Sequence, residues 1–425
     1  MQKNSNKENL GKYVLYAIWL VLLIWGISGV IQRLTYGHVP ANYGSYIPWG
    51  LWVSAYIYFS GLSAGTFLIS SLYYIFGIQR LEGIGRLSLL IAVVTLFMGL
   101  LCILFDLGHM GRFYEVFTRP SFSSMMTWMV WLYTAYLLLI LSMLWLELRC
   151  DLDRVAQKKE GLISSLYRAL AIGWHCPETR EDLEACHRQS VSLNRILCVI
   201  GIPLTVAFSG GVGALFATLS SRPYWHTGLF PIMFLIGALL SGGAIILAVV
   251  GLFNIVTGEE RKNIIKYLSR LISGLLILYL LLEWAEFSIP MWYRVGPEFD
   301  LLKTVLFGEF WYVFWIVHII LGAAIPIILF IRKPPSRLTA VLGGGLVAVT
   351  FLAVRLNIVI PGQVAPSLEG LRSAYVDHRL LFEYVPSAFE WSIIAFVVAF
   401  GVALFYLGQK ILPLRDLNQI EKGGA

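Results

Sequence analysis

Charge is scarce in this sequence. Of its 425 residues only 13% are Asp, Glu, Lys or Arg, against 58% hydrophobic, a balance that describes a bilayer protein and excludes an ordinary soluble domain. Cysteine is scarce too. There are five, none in the loops that the orientation argued below puts outside, so a disulfide framework is excluded. No cysteine cluster suits an iron–sulfur centre, and neither a P-loop nor a Gly-rich dinucleotide turn occurs. Of seven histidines, only His318 lies in the middle of a hydrophobic run. A b-type haem needs an axial ligand on each face, usually two helical histidines, so the stacked haem pair of a cytochrome b is excluded as well. Any redox chemistry here uses electrons held elsewhere.

What the sequence has is apolar length. Runs of about 20 apolar residues cross roughly 30 Å of hydrocarbon as helix, and ten are found: Tyr13–Leu34, Pro48–Phe76, Leu87–Phe105, Met125–Leu146, Ile196–Leu219, Leu229–Phe253, Leu268–Phe287, Val305–Ile331, Ala340–Ile360 and Phe389–Leu412. The ninth is interrupted by Arg355. The expected class is an all-α polytopic membrane protein with the lipid bilayer as its solvent. The polar start MQKNSNKENLGK lacks a small-residue cleavage site behind it, so a retained first helix is expected. With the N-terminus cytoplasmic, 23 of the 32 Lys and Arg fall on the inner side, the bias that sets orientation. Ten crossings then return the C-terminus to the same side. The net charge of +7 follows from topology, and no nucleic-acid partner is needed to explain it.

Residues 1–425 read as a single integral membrane domain with a weak internal duplication. GLSAG at Gly61–Gly65 in the second run has a counterpart in LLSGG at Leu239–Gly243 in the sixth, and GRL (Gly85–Leu87) and SRL (Ser269–Leu271) open the third and seventh. Two four-helix bundles, 48–219 with its cytoplasmic loop 148–193, and 229–360, flanked by helices one and ten, would produce this. Small-residue clusters also arise wherever transmembrane helices pack closely. The inner loop contains WHCPETREDLEACH, with His175-Cys176 and Cys186-His187 in mirror order. That spacing suits zinc, or two reduced cysteines on a solvated helical hairpin; lacking a CxxC pair, it is assigned no metal.

The run FDLGHMGRFYEVFTRPSFSSMMTW, Phe105–Trp128, gathers charge between two hydrophobic segments. Asp106 lies 20 residues past Arg86, roughly 30 Å along a helix, where the third helix leaves the outer face. His109 and Arg112 follow at steps of three. If the helix continues, Asp106 and His109 share one side, although Gly108 and Gly111 favour fraying. Glu283 and Glu286 in the seventh run, Glu309 about two turns into the eighth, Arg355 in the ninth and Glu390 at the start of the tenth fall in the same outer half. So do Arg222 and His226 in the turn RPYWHT. Ionisable residues at membrane depth are expensive and face a partner or a cavity, so their concentration on one side marks a site. A solvated helix end is the bland alternative.

These residues carry a resemblance. Phe208–Gly243, FSGGVGALFATLSSRPYWHTGLFPIMFLIGALLSGG, resembles the bundle junction of the NrfD, polysulfide reductase membrane-anchor family. DLGHMGRF followed by RPSFSSMMTW is similar to that family's helix-three exit. RLNIVIPGQ, Arg355–Gln363, resembles its ten-helix members, such as the membrane subunits of the Qrc menaquinone reductase, the Hmc and Dsr complexes and HybB-type hydrogenases. The resemblance implies a haem-free subunit in the bacterial cytoplasmic (inner) membrane, not active alone. It would bind menaquinone at its extracytoplasmic side, beside a ferredoxin-like iron–sulfur subunit and, through that, a catalytic subunit or multihaem cytochrome c. Asp106, His109 and Arg112 occupy the family's charged exit motif, and Tyr56 stands where a short member has a quinone-contacting histidine. Short members often have Tyr-Thr-Gly where this chain has Phe208-Ser209-Gly210, so another hydroxyl donor is needed.

Quinone reduction takes two electrons and two protons, a donor to each carbonyl oxygen, and an acid or base in exchange with water. On that chemistry Asp106 and His109 are the expected catalytic pair, the carboxylate orienting the imidazole. Trp49, Trp52, Tyr56, Arg112, Arg222 and His226 complete the expected quinone site. Glu283, Glu286, Glu309, His318, Arg355 and Glu390 are the expected proton-transfer groups. The rival classes are a secondary transporter or ion-translocating protein, which needs a midplane site open to both sides, and a passive anchor with no quinone.

Overall fold

The computed structural model describes residues 2–177, 179–332, 336–366, 370–374, 377 and 379–414. Among the described residues there is no strand, as expected where hydrocarbon offers no partner to exposed backbone groups and a helix satisfies its own. Among the described residues ten helices are long and apolar enough to cross a membrane. They are α1 (Gln2–Tyr36), α2 (Leu51–Tyr74), α3 (Gly85–Asp106), α4 (Met125–Lys158), α5 (Arg180–Ala217), α6 (Phe230–Leu252), α7 (Gly258–Tyr293), α8 (Val313–Ala324 as π-helix, continuing as α-helix over Ile325–Arg332), α9 (Arg337–Val359) and α10 (Ala388–Ile411). The chain is an all-α, multi-pass membrane protein. Residues 415–425, expected on the inner side, lie outside the described residues.

The centre is built from small residues. α2 is the most enclosed helix, with 94% of its span buried, and it packs against α3 on one side and α6 on another. A Cβ placed on Gly65 would lie 1.8 Å from the Ala238 carbonyl oxygen, and one on Gly242 would lie 2.4 Å from the carbonyl carbon of Gly65. GLSAG and LLSGG therefore meet face to face, backbone on backbone, the close approach that glycine permits between membrane helices. On its other side α6 meets α9, where a Cβ on Gly344 would stand 2.7 Å from the Ala244 carbonyl oxygen.

The rim is looser. α1 has only 11% of its span buried and rests on α10, where Gly26 and Gly29 admit Phe396 and Ser392 and Trp19 Nε1 donates to the Ala399 carbonyl at 2.9 Å. Where α3 begins, Arg86 is buried against Asp151 (2.5 Å) and Glu147 (3.5 Å) of α4 and donates to the Pro413 carbonyl at 3.1 Å. Arg86 marks one face of the molecule, and Asp106, at the other end of α3, marks the opposite face.

The continuation of the third helix past Asp106 does not occur, and one expectation is corrected. α3 stops at Asp106: Leu107 is extended (φ −62°, ψ 131°), and a short 3-10 turn, Met110–Arg112, and a single helical turn, Glu115–Thr118, follow. The reason lies in α1, whose Arg33 donates from Nε to the Phe105 carbonyl (2.8 Å) and from Nη2 to the Leu107 carbonyl (2.6 Å), capping the helix end with a cation. His109 is thus exposed beyond a break and is not one helical turn above Asp106. The eighth run is likewise split. Pro297–Phe307 forms its own short helix, the chain turns at Gly308, and α8 starts at Val313. Glu309 lies in that break, exposed, and not two turns inside a helix.

Candidate functional site

At the Asp106 end, α1, α2, α3 and α10 close around a polar cluster. The Asp106 carboxylate interacts with the Arg33 guanidinium and the Tyr43 hydroxyl. Tyr43 also accepts from the Trp52 backbone N–H at 3.4 Å. Its ring lies edge-on to Trp52 (5.5 Å, 87°) and stacked on Tyr384 (5.9 Å, 21°). Tyr384 accepts from the Leu51 N–H at 2.8 Å and donates to the Glu390 carboxylate. Glu390, fully buried, also accepts from Ser387 N–H (2.8 Å), Ser387 Oγ (2.9 Å) and Asn42 N–H (3.2 Å). This closes a capping box that starts α10. Trp52 Nε1 donates to the Glu390 carbonyl at 3.1 Å. Burial, then the Asp106 charge, pushes the Tyr43 phenol well above the usual tyrosine range. Burial and then Glu390 do the same to Tyr384. Both are therefore protonated donors at neutral pH.

His38 completes this cluster, with its ring 5.7 Å from Trp52 and 5.9 Å from Tyr43. Burial, and after it the Arg33 charge, lowers its pKa although the Phe105 and Asp106 backbone pulls the other way, so at neutral pH it is uncharged. Its Nε2 is buried without a hydrogen bond among the described residues, the kind of group that a water or a ligand satisfies. The histidine beside Asp106 in space is thus His38, not His109.

About two turns deeper, Tyr56 of α2 donates to the Tyr133 hydroxyl of α4 at 2.7 Å, the two rings edge-on at 5.8 Å. Tyr133 packs 5.2 Å from Phe208. The phenol that the sequence lacks at position 208 is present on the neighbouring helix. Tyr56 is half-buried and Tyr133 is buried, so of the two only Tyr56 reaches toward the surface of the bundle. Gly99 of α3 backs it, a Cβ there falling 3.4 Å from the Tyr56 carbonyl oxygen.

The RPYWHT turn serves mainly as a lock. Arg222 donates to the carbonyls of Gln363 (3.3 Å) and Ala365 (3.0 Å), and Trp225 Nε1 to that of Ile358 (2.8 Å). Trp49 stacks on Trp225 (5.8 Å, 25°) while Gln363 brackets its backbone. His226 is exposed, with Nδ1 at 2.7 Å from the Ala217 carbonyl. Arg112 is exposed as well.

A second buried group lies between α7, α8 and α9. His318 Nε2 is 2.9 Å from Glu283 Oε2, and the Tyr279 ring stands 6.2 Å from His318. Arg355, 1% exposed, lies over Phe234 (4.3 Å) and Phe351 (5.1 Å) in cation–π contact. A Cβ on Gly237 would reach 2.9 Å from its guanidinium. Its Nε and Nη1 and the Tyr279 hydroxyl have no hydrogen-bond partner among the described residues. Toward the Asp106 end, Glu286 Oε2 accepts from Thr227 Oγ1 at 3.1 Å. His318 sits inside the π-helical stretch, a distortion frequent at functional sites. Glu283→Ala is expected to strand the buried imidazole at a cost of about 1–3 kcal/mol, read as a lower thermal midpoint of the detergent-solubilised protein. Glu283→Gln, which retains an acceptor, should lose much less.

Residues 39–367 match the family described as Polysulphide reductase, NrfD. The chain belongs to that family. It is 36% identical over 406 residues, 95% of this chain and 94% of the relative, to a selenate reductase subunit of Mesobacillus selenatarsenatis. It is 26% identical over 387 residues, 88% and 87%, to the Hdr-like menaquinol oxidoreductase integral membrane subunit of Archaeoglobus fulgidus. It is 23% identical over 420 residues, 96% and 93%, to the menaquinone reductase integral membrane subunit of Nitratidesulfovibrio vulgaris. The matched span contributes Tyr43, Trp52 and Asp106 to the polar cluster. Arg33, His38, Tyr384 and Glu390 come from outside it.

Of the expected site residues, Trp52, Asp106 and Glu390 are brought together, Tyr56 lies beneath them, and Glu283 and His318 form a pair. His109, Arg112, His226 and Glu309 are exposed, and Trp49 and Arg222 lie in the lock. Arg33, His38, Tyr43, Tyr133 and Tyr384 were not legible as site residues. The Tyr-rich ANYGSY at Ala41–Tyr46 before α2 was the one local signal.

Proposed function

We propose that this chain is the haem-free, quinone-interacting membrane subunit of a respiratory redox complex, passing electrons between menaquinone or menaquinol and an extracytoplasmic iron–sulfur partner. The observation that carries this reading is the cluster of Asp106, Tyr43 and His38, with the Tyr56–Tyr133 pair beneath it. It combines protonated phenols, a neutral imidazole with a free nitrogen and a carboxylate, on the aromatic wall that Trp52 supplies. A quinone needs donors to its carbonyl oxygens and a group that exchanges protons with water. Tyr56 and Tyr133 suit the deeper carbonyl and His38 and Tyr43 the shallower one. Asp106 holds the exchanging proton, with Arg33 countering its charge. The names of the relatives from Archaeoglobus and Nitratidesulfovibrio support the quinone.

In the same reading Glu286, Glu283 and His318 form a separate line of proton-holding groups in the second bundle, 229–360, facing the first across the α2–α6 contact, with Arg355 as the fixed positive charge beside them. Glu309 stands outside it, and Glu390, with its acceptors filled, positions Tyr384. Apart from the ion-paired cluster of Arg86, Glu147 and Asp151 at the opposite end, the ionisable groups of this reading lie toward the Asp106 end, which favours this function over a transporter whose site must reach both sides.

The Asp106 end is proposed to face away from the cytoplasm, since basic residues concentrate at the Arg86 end. A cysteine replacing Glu160, exposed between α4 and α5, is expected to resist an impermeant thiol reagent added to intact cells and to react after lysis. Labelling in intact cells would reverse the orientation. Copurified menaquinone, and its loss from a Tyr56→Phe, Tyr133→Phe double variant, tests the site. A quinone-free native complex would sink it.

A further inference from the structure

At the Arg86 end, three of the five cysteines converge from three separate segments. Cys150 comes from the last turns of α4, Cys176 from the loop after Gly161–Leu170, and Cys186 from the second turn of α5. Cys150 Sγ and Cys186 Sγ are 2.9 Å apart, and the Cys176 thiol makes a side-chain contact with Cys150. The loop is fixed where this matters: the Cys176 N–H donates to Asp153 Oδ2 at 2.8 Å, and Trp174 lies under the Arg149 guanidinium at 3.9 Å. The sulfurs are too close to share a cation, since two thiolates on one tetrahedral zinc stand about 3.8 Å apart. No described group of three His, Cys, Asp or Glu has a metal-holding arrangement. Less than about 1 Å of travel separates the two thiols from bonding distance.

We propose that Cys150 and Cys186 form a reversible disulfide, closed through Cys176, that clamps the end of α4 to the start of α5. The oxidant is a low-molecular-weight disulfide. The Cys176 thiolate attacks one of its sulfurs, the reagent's S–S bond breaks, and the first thiol leaves, taking a proton from water. Cys150, giving its proton to water, then displaces the second thiol from Cys176, and that thiol also takes a proton from water. Cys186, giving its proton to water, finally attacks Cys150 and releases Cys176 as a thiolate. Two cysteine thiols lose two electrons, and the reagent gains them with two protons.

Cys176 suits the role of attacker. Its contact with the Cys150 thiol, and the Arg154 guanidinium beside it, hold its thiol below the ordinary cysteine range despite its burial, and the thiolate is the attacking species. Cys102 and Cys198 are buried elsewhere in the membrane helices and serve as internal controls. With the orientation proposed above, this end meets a reducing compartment, where disulfides are transient and redox-sensing rather than structural. The cysteine site does not depend on the quinone site, and either can fail alone.

The test is a titration of the purified full-length chain with mixtures of oxidised and reduced glutathione, followed by alkylation and peptide mapping. Loss of two alkylatable thiols, with a crosslinked peptide pair containing Cys150 and Cys186 that a reductant separates, is expected. Cys176→Ser should leave that product but slow its formation at least tenfold, while Cys186→Ser should stop the reaction at a Cys150–Cys176 link. Five free thiols under all mixtures, glutathione retained on Cys176 with no internal link, or one tightly held zinc per chain would each overturn the proposal.

Discussion

Asp106→Asn is expected to leave the protein folded and quinone bound while slowing quinone-linked electron transfer by roughly 10²–10⁴, the range for lost general acid–base help. The asparagine keeps the shape of the side chain and an oxygen for the Tyr43 hydroxyl. It loses the ability to hold and release a proton. Tyr43→Phe removes one hydroxyl from the same cluster and should cost about tenfold, the worth of one hydrogen bond of ~1.4 kcal/mol. The double variant should be little slower than Asp106→Asn, because groups acting as a unit are not additive. Turnover of the purified complex with a menaquinol analogue, alongside quinone content and thermal midpoint, separates the outcomes. A solvated helix end with no chemistry would shift free energies by no more than about 0.5 kcal/mol, and wild-type turnover in Asp106→Asn would end the acid–base role.

The largest structural effect is expected at Gly65. Any Cβ there would fall 1.8 Å from the Ala238 carbonyl oxygen and 3.0 Å from the Gly242 Cα. Both are backbone atoms, which no rotamer change can move aside. Overpacking a core typically costs about 1–3 kcal/mol; here two central helices would have to part along their length, and α2 holds α3, α5, α6 and α9 in contact. Gly65→Val should therefore abolish accumulation of folded protein in the membrane, and Gly65→Ala should reduce it severely. Gly274 of α7 is the control. Nothing lies within 4 Å of a Cβ placed there, so Gly274→Ala should be neutral or gain up to about 1 kcal/mol of helix propensity. Membrane yield and gel-filtration profile of the three variants decide it; normal yield of Gly65→Val would mean that the α2–α6 contact is not structurally required.

The ten crossings were legible because hydropathy over twenty residues needs no knowledge of neighbours. Charge placement along those runs was legible for the same reason, which is how Asp106, Glu283, His318 and Glu390 were singled out. Partners were not. His109 is near Asp106 in sequence and His38 is near it in space, and only the return of α1 beside α3, with Arg33 capping the helix, makes the difference. GLSAG and LLSGG were visible as similar motifs, yet their similarity does not reveal that they touch. Cys150 was hidden for a third reason: it sits in the polar tail of a transmembrane helix, far along the chain from the Cys176 and Cys186 that it meets. Glu309 was misplaced because the hydrophobic run continues through Gly308 although the helix does not.

The enclosure of α2 bears on how the protein is made. α2 is the least hydropathic of the ten spans and also the most completely covered by other helices, so little of its surface is suited to lipid. Its main partner beyond α3 is α6, Phe230–Leu252, which leaves the ribosome only after the whole of α4, α5 and the polar segment between them. During that interval serine and glycine faces that later meet helices must be kept from hydrocarbon. The surroundings of α2 are therefore complete only once the sixth helix has been made.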